Sequence, residues 1–161
     1  MSIPWYSVND FLLQCGENRT PLAFSRAVMD QIDALIPFDQ GRLYLLDENG
    51  KIVDTYCLGV SPRCQEEYRY YADMDNGVCS TAAAAARFAR RYPSVEQCLR
   101  DGDSYRDASS FYSEYIRPNQ IQQSFGLGLR DMHHSLRCMF SFDRICKVPY
   151  SDQEIEIMKI I

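Results

Sequence analysis

Seven cysteines and two histidines are the residues that first suggest metal or thiol chemistry in this chain. A structural zinc site usually takes its four ligands in pairs with Cys-x₂₋₄-Cys spacing, because the side chains must converge tetrahedrally. No two cysteines have this spacing, and His133 and His134 are adjacent, which turns their side chains apart. The odd cysteine count without a repeating spacing also argues against a disulfide framework. We therefore predict reduced thiols, no metal site and a cytoplasmic location.

Sequence motifs for nucleotide binding or hydrolysis are equally weak. Gly126-Leu127-Gly128 is a fragment of GxGxxG, but Asp131 stands where the third glycine is required, and the glycines lie in a predicted strand. The chain contains no Walker A, GxSxG or HExxH motif. We interpret the glycines as positions where an aromatic ring or a helix approaches a sheet closely. No catalytic residue and no cofactor are predicted.

Tyrosine is the side chain that points most clearly to binding. The 11 tyrosines outnumber the 8 phenylalanines, and a tyrosine combines an apolar ring with a polar tip, which suits the lining of a small-molecule pocket. Ordinary helix–sheet packing is the alternative interpretation for each ring. The predicted ligand-binding residues are Tyr56, Tyr68, Tyr71, Phe111, Tyr112 and Tyr115.

Arginine offers a second way to hold a ligand. Arg42, Arg117 and Arg137 are candidates to anchor an anionic ligand through paired hydrogen bonds, or else they are solvated surface charges.

Length and composition predict one folded domain over residues 1–161. Hydrophobic residues make up 46 % of the chain and charged residues 24 %, both at the average for globular proteins. No apolar run approaches the roughly 18 residues of a membrane span, and no signal peptide is apparent. The net charge of −5 argues against nucleic-acid binding by this domain itself.

Two β-hairpins are predicted from alternating apolar residues. The first pairs 41–47 with 52–59 across a turn containing Asn49-Gly50, because Asn-Gly readily adopts the positive φ of tight turns. The second pairs 121–130 with 136–143 across a polar loop that contains both histidines.

Helices are predicted from capping residues and apolar spacing. Thr20-Pro21 begins a helix that extends to Leu35, after a short helix over 4–13. Ser61-Pro62 begins another that ends near Ala72, and further helices are expected over 94–102 and 108–116. Ser151 and Glu154 form a capping box for a last helix that ends at Ile161 without a C-cap. We expect a domain taken from a longer chain or a helix that continues into another domain, and a short C-terminal helix is the alternative.

The order of these elements resembles that of a known family. A helix ending at 35–39 runs into the strand at 42–47, segment 113–118 leads into 125–129, and 149–155 closes the chain. This chain resembles the GAF-type sensor domain that precedes a LuxR-type helix-turn-helix in bacterial transcriptional regulators. The resemblance implies an α+β fold, with a central antiparallel sheet of five or six strands and helices on both faces.

The resemblance also implies an arrangement of the domain. The N- and C-terminal helices would pack on one face, and the middle segments would enclose a pocket on the other, with a third strand between residues 73 and 107. DNA contact would come only through a helix-turn-helix domain absent from this chain. The Cys-His pair that anchors bilins and the Asn-Lys-Phe-Asp-Glu pattern of cyclic-nucleotide-binding members are both missing. The implied partner is an unknown small molecule.

Three functional hypotheses follow. The first is a non-enzymatic sensor that binds a small molecule and forms a homodimer through its terminal helices. The second is a dimerisation module without a ligand, in which the apolar stripe of Ile155, Met158 and Ile161 is covered by Val28 and Ile32 or by a second chain. The third is a methionine sulfoxide reductase that uses thiols such as Cys57, Cys64 and Cys79. Cys64 is the best candidate among them, because it lies in the first turn of a predicted helix.

Overall fold

The computed structural model describes residues 3–49, 52–74, 112–133 and 135–161. In these ranges the helices are α1 (Trp5–Gly16), α2 (Pro21–Gln31), α3 (Pro62–Met74) and α4 (Asp152–Ile160), with a 3₁₀ turn at Ile32–Ala34 and a π-helical segment at Tyr112–Ile116. The strands are β1 (Gln40–Leu46), β2 (Ile52–Leu58), β3 (Gln123–Arg130) and β4 (Leu136–Arg144). None of the helices in the described ranges is both long and apolar enough to cross a membrane.

The four strands form one antiparallel sheet in the order β2-β1-β4-β3. Both predicted hairpins are present, and β1 and β4 pair at the centre with Leu43 opposite Phe140. The prediction of five or six strands is not supported, because the described residues form four. The third strand expected between residues 73 and 107 falls almost entirely on 75–111, outside the described residues.

The helix starts predicted at Thr20 and Ser61 are confirmed. The Thr20 hydroxyl accepts a hydrogen bond from the Ala23 N–H at 3.2 Å, and Ser61 does the same for Cys64 at 3.2 Å. Helix ends differ from prediction, because α1 extends to Gly16 and α2 gives way after Gln31 to the 3₁₀ turn. The described part of the predicted 108–116 helix is π-helical, and the helix expected over 94–102 lies outside the described residues.

One face of the sheet packs against α1, α2 and α4, and we call it the helix face. Alternation along the strands directs apolar side chains to this face. Its buried strand residues are Leu43, Phe125, Leu127, Cys138, Phe140 and Phe142. Burying each large apolar side chain contributes roughly 1.5–3 kcal/mol. Since α1, α2 and α4 all contribute to this cluster, the expected packing of the N- and C-terminal helices on one face is confirmed.

The apolar stripe of α4 is covered within the chain. Met158 is buried in the same cluster as Val28 and Ile32, and Ile155 and Ile161 pack against that cluster. Of the two ways to cover this stripe, the structure shows the intramolecular one.

The opposite face packs against α3 and the π-helical segment, and we call it the α3 face. Its buried residues include Tyr44 of β1, Met139 of β4, Tyr68 of α3 and Tyr115 of the π-helical segment. Helices therefore cover both faces of the sheet, as expected.

Helix α4 begins at the predicted capping box. The Ser151 hydroxyl accepts from the Glu154 N–H at 3.3 Å, and the Glu154 carboxylate accepts from the Ser151 N–H at 2.7 Å. The second carboxylate oxygen of Glu154 accepts from Arg144, the last residue of β4. Since Arg144 also donates to the Pro37 carbonyl at 2.9 Å, it ties the start of α4 to the sheet.

Substitution of Gly59 tests the close approach after β2. Gly59 has a φ of +65°, and a Cβ there would lie 2.3 Å from the Asp39 carbonyl oxygen. We expect Gly59→Ala to lower the free energy of unfolding by about 2 kcal/mol or more, measured by urea denaturation. Gly16→Ala is the matched control, because nothing lies within 4 Å of its added Cβ and alanine favours the helix. Equal losses in the two variants would contradict this account.

The pH dependence of stability tests the cap of α4. Burial raises the pKa of Glu154, but hydrogen bonds from Ser151 and Arg144 outweigh it and hold that pKa below the usual 4.5. Because the folded-state pKa is the lower one, the stabilisation is present above about pH 4.5 and is lost as pH falls through the folded-state value. We expect the free energy of unfolding to fall more steeply below that pH in the natural chain than in Glu154→Gln. Urea denaturation across a pH series measures this, and parallel profiles would refute it.

Candidate functional site

A buried ion pair lies at one end of the α3 face. Arg42 of β1 donates through Nη1 to the Asp143 carboxylate of β4, and each residue is only 2 % exposed. The other carboxylate oxygen of Asp143 accepts from the hydroxyls of Ser124 and Ser141, the latter at 3.1 Å. A buried carboxylate is tolerated when its lone pairs are satisfied in this way.

Strand alternation explains why these polar residues meet. Ser141 and Asp143 are two residues apart on β4, so both project to the α3 face while Phe140 and Phe142 project to the helix face. Arg42 lies opposite Ser141 in the register of β1 and β4, two pairs away from Asp143, which lies opposite Gln40.

The Arg42 guanidinium has further contacts. Its Nη2 donates to Gln40 Oε1 at 2.8 Å and to Cys64 Sγ at 3.5 Å, and its Cζ lies 5.8 Å from the centre of the Tyr115 ring. Within the part of the chain that the structure describes, Nε has no hydrogen-bond partner. Burial lowers the pKa of Arg42, but the Asp143 carboxylate, together with Tyr115, Tyr44 and the hydrogen bond to Cys64, outweighs burial and raises the pKa, so the guanidinium stays charged.

Burial and hydrogen bonding act in opposite directions on the pKa of the Asp143 carboxyl. Burial raises its pKa, while Arg42 and the two serine hydroxyls favour its charged form. Both groups of the pair therefore depend on each other, since removal of either leaves the other buried without compensation.

Three tyrosine rings pack against one another beside this ion pair. The Tyr44 and Tyr68 rings stack with centroids 4.8 Å apart, and the Tyr115 ring meets Tyr68 edge-on at 5.5 Å. Cys64 Sγ donates to the Tyr115 hydroxyl at 3.2 Å. Burial raises the pKa of Tyr44 and of Tyr115, so both hydroxyls stay neutral.

Small residues form the surface of the sheet beside the ion pair. Gly126 lies opposite Ser141, and Gly128 lies opposite Met139. With Ser124, these glycines are the β3 positions that alternate to the α3 face, whereas Phe125 and Leu127 project to the helix face. At these positions β3 therefore places no large side chain on the α3 face.

The structure brings together two of the predicted ligand-binding residues, Tyr68 and Tyr115. It places Tyr56 on the helix face, where its hydroxyl donates to Asp30 of α2 at 2.7 Å and its ring lies 5.3 Å from the Arg26 guanidinium. Tyr56 is therefore separated from the other two by the thickness of the sheet.

The remaining predicted tyrosines and phenylalanine are not located at side-chain level. Tyr71 belongs to α3 and Tyr112 to the π-helical segment, but the structure describes only their backbone, and Phe111 lies outside the described residues.

The three candidate arginines have different environments. Only Arg42 belongs to the buried cluster, because Arg137 pairs with Asp131 at the β3–β4 loop at 2.7 Å and Arg117 is exposed. Asp143, Ser124 and Ser141 were missed from the sequence. The signal for two of them was the alternation of Ser141 and Asp143 with the apolar residues Phe140 and Phe142 on β4.

The cysteines of the thiol hypothesis are also placed in part. Cys64 is 3 % exposed in the first turn of α3, and Cys57 of β2 lies opposite Arg42. Cys79 lies outside the described residues. In the ranges that the structure describes, no three His, Cys, Asp or Glu side chains are grouped to hold a metal ion.

Comparison with known proteins identifies the fold. Among solved structures, the chain is similar to the chromophore binding domain of Stigmatella aurantiaca phytochrome P1, with a TM-score of 0.60 and 15 % sequence identity. The match covers 99 % of this chain and 60 % of the phytochrome chain, so this chain spans less than two thirds of that structure. No protein-family model and no curated protein match the chain. The fold is therefore GAF-like, and at this identity the likeness shows the fold alone.

A double-mutant cycle tests the interdependence of the ion pair. We expect Arg42→Met and Asp143→Leu each to lower the free energy of unfolding by about 3–5 kcal/mol, because each leaves one uncompensated buried charge. In the double variant no charge is left over, and Ser124 and Ser141, whose hydroxyl oxygens are 3.3 Å apart, can bond each other. The double variant is expected to lose less than the sum, with an interaction energy of about 2–3 kcal/mol.

The exposed pair Arg63 and Glu67 on α3 is the control for this cycle. Its interaction energy is expected to stay below about 0.5 kcal/mol, because solvent screens it. Additive losses at Arg42 and Asp143 in urea denaturation would show that the buried pair is not a unit.

Proposed function

We propose that this chain is a sensor domain that binds a small molecule on the α3 face of its sheet. We further propose that it acts in a bacterial transcriptional regulator of the LuxR type, where a helix-turn-helix domain makes the DNA contact. The GAF-like fold and the order of elements in the sequence support this proposal.

The difference between the two sheet faces is the observation that carries the proposal. Among the described residues, the helix face buries two polar side chains, Ser25 and Arg144, beside its large apolar cluster. The α3 face buries four beside a smaller cluster: Arg42, Asp143, Ser124 and Ser141. Burying two charges costs several kcal/mol per ion before their attraction offsets it, and apolar packing often serves stability as well or better. A few convergent polar groups among aromatic side chains are typical of a ligand-binding surface.

The proposed site consists of described residues from four elements. Tyr68 and Tyr115 supply aromatic surface, and the β3 glycines place no side chain on this face. Among the described residues, the Nε–H of Arg42 has no hydrogen-bond acceptor. An acceptor oxygen on the ligand is the group that this donor favours, because an unsatisfied buried N–H costs about 1–3 kcal/mol.

The proposal includes binding and no catalysis. The Cys64 thiol is buried and already donates to the Tyr115 hydroxyl, so it serves the packing of α3 against the π-helical segment. Tyr56 is left out of the site because it bonds α2 on the helix face.

We also propose homodimerisation through α1. Its outer surface exposes Trp5, Tyr6 and Leu13, of which Tyr6 is 95 % exposed. Exposed apolar residues on one helix favour association with a second apolar surface. Helix α4 contributes less to such an interface than its sequence suggested, because Met158 is already buried within the chain.

Thermal-shift measurements with a metabolite panel test the binding proposal. A compound that binds the folded state stabilises it by about 2.7 kcal/mol at a hundredfold excess over its Kd. We expect at least one compound to raise the Tm of the natural chain, and Tyr115→Phe or Ser141→Ala to reduce that shift.

Tyr56→Phe is the matched control, because it also removes one tyrosine hydroxyl but on the helix face. It is expected to keep the full ligand-induced shift in Tm. A panel without any stabilising compound, or equal losses of the shift in Tyr115→Phe and Tyr56→Phe, would rule out a ligand site on the α3 face.

A further inference from the structure

The last two residues of β4 project to opposite faces of the sheet. Asp143 belongs to the buried ion pair on the α3 face, and Arg144 lies among residues of the helix face, where it is 7 % exposed. Side chains of neighbouring strand residues project in opposite directions. One peptide bond therefore joins two buried charged networks that lie on different sides of the sheet.

Arg144 binds the segment that leads into α4. Its guanidinium donates to the Pro37 carbonyl at 2.9 Å, to the Pro149 carbonyl at 3.3 Å and to the Glu154 carboxylate. Its Cζ lies 4.0 Å from the centre of the Tyr150 ring. Because Glu154 is half of the capping box, Arg144 positions both the entry to α4 and its first turn.

The backbone around this step is held from both sides. The Asp39 N–H donates to the Asp143 carbonyl at 2.9 Å, and the Gln122 N–H donates to the Arg144 carbonyl at 2.8 Å. The Asp39 carboxylate in turn accepts from the Ile145 N–H at 2.9 Å. The peptide between Asp143 and Arg144 cannot rotate without breaking the hydrogen bond from the Asp39 N–H to the Asp143 carbonyl. We therefore expect a displacement of Asp143 to reach Arg144.

We propose that the Asp143–Arg144 step couples the ion pair on the α3 face to the docking of α4 on the helix face. A role of this coupling in signalling rests on the proposed function, because a ligand bound at Arg42 would then change how strongly Arg144 binds the start of α4. The coupling itself belongs to the unliganded chain and is measured without a ligand. Arg144 is accordingly a positioning residue that acts through Glu154.

Amide hydrogen exchange in Asp143→Asn tests the coupling from the α3 face. The substitution removes the charge that Arg42 pairs with, at nearly unchanged volume. We expect amides 154–157 in α4 to exchange at least about tenfold faster relative to the amides of α1, which serve as the internal reference.

Leu46→Ala is the matched control, because Leu46 of β1 lies in the cluster on the α3 face but is not part of the Asp143–Arg144 step. It is expected to lower overall stability without a selective effect on α4. If Asp143→Asn accelerates α1 and α4 equally, as Leu46→Ala does, the coupling is overturned.

Arg144→Lys tests the same coupling from the other face and provides a second variant should Asp143→Asn fail to fold. Lysine keeps the charge but lacks the planar fork that reaches Pro37, Pro149 and Glu154 together. Since coupling is reciprocal, we expect Arg144→Lys to shift the NMR signal of the Arg42 Nε–H. Lys159→Ala, which removes an exposed pair with Glu156 on α4, is expected to leave that signal in place.

An unchanged Arg42 signal in Arg144→Lys, together with faster exchange in α4, would show that the two networks are independent. The outcome is separable from that of the ligand screen. A metabolite panel without binders removes the sensor proposal, whereas these two measurements on the unliganded chain still decide the coupling.

Discussion

The ion pair between Arg42 and Asp143 is the interaction on which the arrangement of the sheet depends. Two charges at 2 % exposure must satisfy each other and their remaining hydrogen-bonding groups, which they do with Ser124, Ser141 and Gln40. These partners come from β1, β3 and β4, so one cluster requires three strands in one register. A slip of one residue would turn Arg42 toward the helix face. Apolar packing favours burial without direction, whereas this pair specifies which residues must meet.

The two faces of the sheet differ in the side chains that they bury. On the helix face, α1, α2 and α4 bury large apolar side chains against β1, β3 and β4. On the α3 face, charged, hydroxyl and aromatic groups are packed together next to a strand with two glycines. The fold is shared with a phytochrome domain at 15 % identity, and a shared fold does not imply a shared ligand.

Local features were predictable from the sequence because local interactions cause them. The caps at Thr20 and Ser151 need only residues three positions apart, and each hairpin needs only its own alternation and a short turn. The candidate site was predictable only in part. Tyr68 and Tyr115 meet, but Tyr56 is on the other face, because tyrosine content does not reveal to which side a strand residue projects.

The amino-acid sequence alone predicted the α+β composition, the positions of both hairpins and the starts of the helices at Thr20, Ser61 and Ser151. Periodicity and capping carry this information, since they depend on residues close together in the chain. Two long-range contacts became evident from the fold alone: Arg42 and Asp143, 101 residues apart, form one buried pair, and Arg144 ties β4 to α4. Such contacts depend on strand order and register, which arise when distant segments pack together and satisfy buried charges at the same time.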